Sequence, residues 1–92
     1  MIDIPRSPVK DRNERIYGDN AGGACIVCSK PINTDRHKLW VRILYGCYIC
    51  TAAEAEKEEA ESPGSDTGYY PVGKECIKRF PQIKPYVEEK AL

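Results

Sequence analysis

The sequence predicts a small α+β domain that combines a cysteine knuckle, a short β-hairpin or sheet, and short helices. The knuckle is indicated by GACIVCSKPI, residues 23–32, in which two residues separate Cys25 from Cys28. The sheet is indicated by HKLWVRILYG, residues 37–46, whose apolar side chains are typical of a half-buried strand. The supply of core residues is thin, since the 92 residues include one Phe, one Trp and one Met. Domains this small usually need a disulfide, a metal or an oligomer to fold.

The knuckle predicts that a zinc ion supplies this additional stability. A C-x2-C turn directs both sulfurs to one centre, and four ligands close a structural zinc site. The other candidate ligands are three cysteines and the single histidine: Cys47, Cys50, Cys76 and His37. Zinc binding contributes apparent free energies on the order of 10–16 kcal/mol in finger peptides. We therefore expect a zinc-stapled fold that is treble-clef-like or zinc-ribbon-like.

The cysteines are expected to be reduced. The N-terminal stretch MIDIPRSPVKDRNER lacks the apolar segment of a signal peptide, and no run approaches the ~20 apolar residues of a membrane span. These features favour a cytoplasmic location, where C-x2-C pairs more often bind metals or take part in catalysis than form disulfides. The odd number of cysteines agrees, because five cannot all pair.

Residues 1–20 are predicted to form an N-terminal arm, followed by one zinc-binding domain at residues 21–87. Two prolines indicate that residues 1–8 are loose, VKDRNERIY predicts a short helix ended by Gly18, and DNAGG predicts a flexible turn into the knuckle. After the strand, Thr51 and Glu54 fit a capping box that opens an Ala/Glu helix.

That helix belongs to an acidic surface insertion at about 52–66, which has no apolar stripe beyond its alanines and is expected to be superficial or partly disordered. SDTGYYPVG then predicts a turn and a short strand, and KECIKRF a helix with Cys76 in its first turn. PQIKPYVEEKAL predicts a second helical piece interrupted by Pro85.

Two ligand sets are compatible with the spacing. In the first, Cys25 and Cys28 combine with Cys47 and Cys50 as C-x2-C-x18-C-x2-C, within the range of four-cysteine zinc sites. This set places the second pair just before a capped helix, as in a treble clef, where the helix end favours thiolates. Cys76 would then be a spare cysteine.

In the second set, Cys76 is the third ligand, and Cys50, Cys47 or His37 is the fourth; Cys50 is our choice. Gly73 can adopt a strained turn before the helix, and Lys74 and Lys78 would favour the Cys76 thiolate. For His37 we favour a solvated turn position between two basic residues over a ligand role. Trp40 and the tyrosines of the YYP stretch are expected to pack in the core and hairpin.

Three segments resemble a group of small phage and bacterial proteins: CIVCSKPI, KLWVRILYG and GYYPVGKECIKRF. That group joins a C-x2-C-G-K-P-like knuckle to a C-terminal P-V-G-x-x-C-x-K-like motif, and the similarity covers roughly residues 25–80. Its middle region often lacks a second C-x2-C, so the resemblance implies that Cys76 is a ligand. The chain departs from the group by carrying Cys47 and Cys50, which keeps the four-cysteine set open.

The net charge of zero hides local asymmetry. Residues 29–46 and residues 74–86 each carry four basic side chains against one acidic, whereas residues 54–66 carry six acidic against one basic. The resemblance to phage proteins implies a non-catalytic accessory module that binds or inhibits a host protein in the host cytoplasm. The acidic helix would provide its docking surface.

A nucleic-acid-binding zinc finger is the alternative. LWVR followed by YGCYIC is similar to the L-W-x-R and C-x2-C segment of GATA-type fingers, but an acidic helix follows here, which would repel phosphates. An enzyme is not expected. CYIC lacks the βαβ setting of a redox motif, and the short chain offers one histidine and little room for a cleft.

Overall fold

The chain folds as an antiparallel sheet with short helices around it, in a computed structural model that describes residues 1–18 and 23–90. This small α+β architecture agrees with the predicted fold class. The elements follow in the order β1 (Ile2–Asp3), α1 (Lys10–Tyr17), β2 (Leu39–Leu44), β3 (Tyr48–Cys50), α2 (Ala52–Glu61), β4 (Asp66–Pro71), α3 (Lys74–Arg79), a 3₁₀ helix (Pro81–Tyr86) and β5 (Glu88–Glu89).

Strand β2 is the centre of the sheet. The order is β1-β3-β2-β4, and β5 pairs with β2 beyond the end of β3. In the turn from β2 to β3, Tyr45 and Gly46 both have positive φ, of 55° and 70°, as tight hairpin turns require. The strand predicted within residues 37–46 is therefore confirmed, and its inward-facing side chains Val41 and Ile43 are buried.

The expectation that residues 1–8 form a loose arm is wrong. Ile2 pairs with Ile49 of β3, and Ile2, Ile4 and Val9 pack against the main core. Apolar side chains at the start of the chain thus extend the sheet rather than remain in solvent. Helix α1 follows as predicted and ends at Gly18 with φ of 78°. Most of the predicted DNAGG turn lies outside the described residues.

Helix α2 begins with the predicted capping box, in which Thr51 and Glu54 exchange side-chain and backbone hydrogen bonds. The helix lies at the surface, and Ala55 is its one buried residue. Ala55 is fully buried in a second cluster with Leu44 and Cys50. The Glu59 carboxylate accepts backbone N–H groups of the following turn, so both ends of the helix are anchored.

The main core forms between the sheet, the knuckle and the C-terminal helices. Its buried members are Cys25, Val27, Cys28, Val41, Ile43, Ile49, Val72, Cys76 and Ile83. Three of the five cysteines therefore lie inside the principal apolar cluster. No helix within the described ranges is both long and apolar enough to cross a membrane.

Candidate metal centre

The knuckle is a tight backbone turn that points Cys25 and Cys28 inward. The Cys25 N–H donates to the Lys30 carbonyl at 2.9 Å, and the Ser29 N–H donates to the Cys25 carbonyl at 2.8 Å. Ser29 has φ of 63°, in the left-handed region, which lets the chain reverse immediately after Cys28. Cys25 and Cys28 are 2% and 9% exposed.

Helix α3 supplies the third sulfur. Cys76 lies in its first turn and is 6% exposed. Gly73, the N-cap residue, donates its N–H to the Cys25 Sγ at 3.3 Å and so links the helix entrance to the knuckle. Gly73 has φ of −77°, so the strained turn expected there is absent.

The three sulfurs form a compact triangle. The Sγ atoms of Cys25, Cys28 and Cys76 all lie within 4.8 Å of one another. In a tetrahedral site with Zn–S bonds of about 2.3 Å, the sulfurs stand about 3.8 Å apart, so a small contraction would place all three on one ion. All three are free thiols. Three buried cysteines at this separation could hold a metal ion.

The surroundings of the Cys76 sulfur favour the protonated thiol over the thiolate. Burial, with the neighbouring Cys25 and Cys28 sulfurs, raises its pKa well above the ordinary value. The expectation that Lys74 and Lys78 favour the thiolate is therefore not met, and both lysines are exposed. A metal ion at the centre of the triangle would favour the thiolate instead, because the charge of the ion deprotonates a coordinating thiol.

Helix α1 supports the knuckle from outside. The buried Asn13 side chain donates to the Cys28 carbonyl oxygen at 2.8 Å. Lys10 Nζ lies 2.7 Å from the Ser29 hydroxyl, which in turn donates to Glu14 at 3.2 Å. Sequence reasoning missed these residues, since a polar side chain in a polar helix carries no signal that it is buried.

The other candidate ligands lie elsewhere. Cys50 is fully buried between Leu44 and Ala55, where burial raises its pKa, and Cys47 is exposed in the hairpin turn. The structure thus does not bring the two C-x2-C pairs together. Across residues 1–18 and 23–90, no fourth histidine, cysteine or carboxylate joins the triangle within 4.8 Å.

His37 is half-buried, and its Nε2 lies 2.9 Å from the Val72 carbonyl oxygen, which replaces the solvated position expected for it. Trp40 packs as expected, since it is 5% exposed and lies edge-on to the His37 ring. Tyr70 packs against the main core, and the Tyr69 ring lies under the Arg42 and Lys90 cations.

Comparison of the chain with models of protein families, with curated proteins and with solved structures found no match.

Proposed function

We propose that the chain is a non-catalytic zinc-binding module in which Cys25, Cys28 and Cys76 hold the ion. The observation that carries this proposal is the triangle of three buried sulfurs. Thiolate ligands favour soft or borderline ions, and zinc accepts three cysteines together with a further donor in a tetrahedral site. A knuckle facing a ligand in the first turn of a helix is also the arrangement of a treble clef, so the proposed fold is treble-clef-like.

Cys50 is left out of the proposed ligand set. Its sulfur belongs to the cluster between α2 and the sheet, and its movement to the triangle would break the contact with Ala55. The ligand set expected from the sequence, Cys25, Cys28, Cys76 and Cys50, is therefore reduced to the three cysteines of the triangle.

Serine variants test the proposal directly. Zinc per chain is measured by elemental analysis after dialysis, and affinity by competition with a chromophoric chelator. Cys76→Ser should lower zinc affinity severely, whereas Cys50→Ser, the matched buried control, should retain the ion. A silent Cys76→Ser combined with a damaging Cys50→Ser would overturn this ligand set.

The proposed biological role is that of a phage-type accessory protein that binds or inhibits a host protein in the cytoplasm. The resemblance of CIVCSKPI and PVGKECIKRF to phage motifs supports this role. The outer face of α2, with Glu56 and Glu61 exposed, offers an acidic surface for such a partner. Loss of partner capture by the double variant Glu56→Lys/Glu61→Lys, with zinc content unchanged, would support docking through α2; unchanged capture would contradict it.

A nucleic-acid-binding finger is the second candidate. It is favoured by the way the two basic segments meet: Lys30 and Arg79 line one cleft, and Arg36, Lys38 and Lys74 line another. Affinity for duplex or single-stranded DNA should then fall steeply as salt is raised, because cations on the protein displace condensed counterions. Absence of any salt-dependent binding at low ionic strength would exclude this candidate.

A further inference from the structure

One side of the cysteine triangle opens on a cleft. Cys28 and Cys76 line this cleft, which has a volume of about 350 Å³, whereas Cys25 is not part of its lining. That volume is near the lower end of the roughly 300–1,000 Å³ typical of small-molecule sites. The walls come from α1, the knuckle and α3, and they include Arg12, Asn13, Tyr17, Lys30, Glu75 and Arg79.

A tetrahedral ion held by the three sulfurs has a fourth position that no described side chain fills. Cys28 and Cys76 line the cleft and Cys25 does not, so we expect this position on the cleft side of the triangle. Zinc sites with three protein ligands accept water or an exogenous ligand in the fourth position.

The cleft is cationic. Arg12, Lys30 and Arg79 line it, and within residues 1–18 and 23–90 none of them has a carboxylate within 4.0 Å. Glu75 is the acidic residue in the lining, and Lys78 lies 3.8 Å from its carboxylate. Three thiolates and a divalent zinc ion together carry a net charge of about −1. A further, anionic ligand on the ion therefore needs nearby cations, which this cleft supplies.

We propose that the cleft binds a carboxylate-bearing ligand that becomes the fourth ligand of the metal. This inference rests on the proposed zinc centre. One carboxylate oxygen binds the ion, and the other accepts hydrogen bonds from the Arg12 or Arg79 guanidinium, whose planar donors match a carboxylate. The carboxylate belongs either to a small organic acid or to an aspartate or glutamate side chain of a partner protein.

The test uses the full chain loaded with cobalt(II), whose colour reports coordination. Sulfur-to-cobalt charge-transfer absorption reports the three thiolates, and the visible d–d bands report the fourth ligand. Sodium acetate and the capped tripeptide acetyl-Gly-Glu-Gly-amide are titrated separately against sodium nitrate at constant ionic strength. Both carboxylates should shift the d–d bands in a saturable way; tighter binding of the tripeptide identifies a protein side chain, and tighter binding of acetate a small acid.

The double variant Arg12→Gln/Arg79→Gln should weaken carboxylate binding at least tenfold and leave the charge-transfer band intact. Arg15→Gln is the matched control, because Arg15 is exposed on α1 and does not line the cleft. Equal affinities in the wild type and the double variant would overturn the proposal.

Two further outcomes separate this proposal from the zinc centre itself. Absence of the sulfur-to-cobalt charge-transfer band would refute the proposed metal centre of Cys25, Cys28 and Cys76. An intact charge-transfer band with d–d bands that ignore both carboxylates means that only the carboxylate site is wrong. Asp19 is a carboxylate of this chain that lies outside the described residues. If Asp19→Asn changes the d–d bands without added carboxylate, the fourth ligand belongs to this chain, and the proposal fails.

Discussion

Asn13→Ala is expected to weaken the fold, because one hydrogen bond joins α1 to the knuckle. The Asn13 side chain is 6% exposed and donates to the Cys28 carbonyl oxygen at 2.8 Å. Its removal leaves a buried carbonyl without this donor, at a cost of about 1–3 kcal/mol. In a domain of this size each kcal/mol lowers the Tm by roughly 4–8 °C, so the expected decrease is roughly 4–24 °C.

The same substitution should lower zinc affinity. Loss of a partner that orients a metal ligand typically reduces affinity by about 10–100-fold. Urea unfolding of the zinc-loaded protein measures the first effect, and chelator competition measures the second. Asn33→Ala is the matched control, since Asn33 is exposed and, within residues 1–18 and 23–90, its side chain makes one hydrogen bond, accepted from the Asp35 N–H. Equal changes in both variants would refute a supporting role for Asn13.

Three other predictions concern the sheet, α2 and the metal. The Arg42 guanidinium lowers the pKa of Asp66, so this pair stabilises the fold above about pH 4, and the contribution is lost as pH falls through the lowered pKa. Asp66→Asn should cost about 1–3 kcal/mol of unfolding free energy at pH 7. It should also weaken the decrease in the urea-unfolding free energy between about pH 4 and lower pH, and an unchanged decrease would contradict this. Replacement of residues 53–65 by a Gly/Ser linker should lower the free energy of unfolding by more than about 1 kcal/mol, the size of a surface change, because Ala55 is buried. Thermal unfolding measures the loss, and a smaller loss would mean that α2 is dispensable for folding. EDTA should abolish the dispersion of the amide NMR spectrum, and an unchanged spectrum would show that metal does not hold the fold together.

Local signals in the sequence predicted local structure well. The β2 segment, the Thr51–Glu54 capping box and the short helix before Gly18 each depend on neighbouring residues, and each is present. Strand β1 could not be predicted from local sequence, because it pairs with β3 in a distant part of the chain. Its two residues are also too few to show the alternation of apolar and polar side chains that indicates a strand.

The candidate site was only partly predictable for the same reason. Spacing marks Cys25 and Cys28 as a pair, but it leaves open whether Cys76 is a ligand and whether Cys50 is one. What separates them is tertiary packing: Cys50 faces the cluster under α2, whereas Cys76 faces the knuckle across the main core. Asn13 and the cationic cleft depend on the docking of α1, which no local pattern encodes.

The order of the cysteines along the chain has a consequence for how the protein matures on the ribosome. The segment between Cys28 and Cys76 contains β2, β3, α2 and β4. A nascent chain therefore exposes a two-sulfur half-site for the roughly 2–10 s that about 50 further residues take to be made at 5–20 residues per second. The ion can be enclosed only after every strand of the β2–β4 unit has been synthesised, and it then closes a loop of about 50 residues, a constraint of about 4 kcal/mol in the chain-entropy treatment of cross-links. Metal binding would thus be a late step in folding, which joins the knuckle to α3 only after strands β2 to β4 have been synthesised.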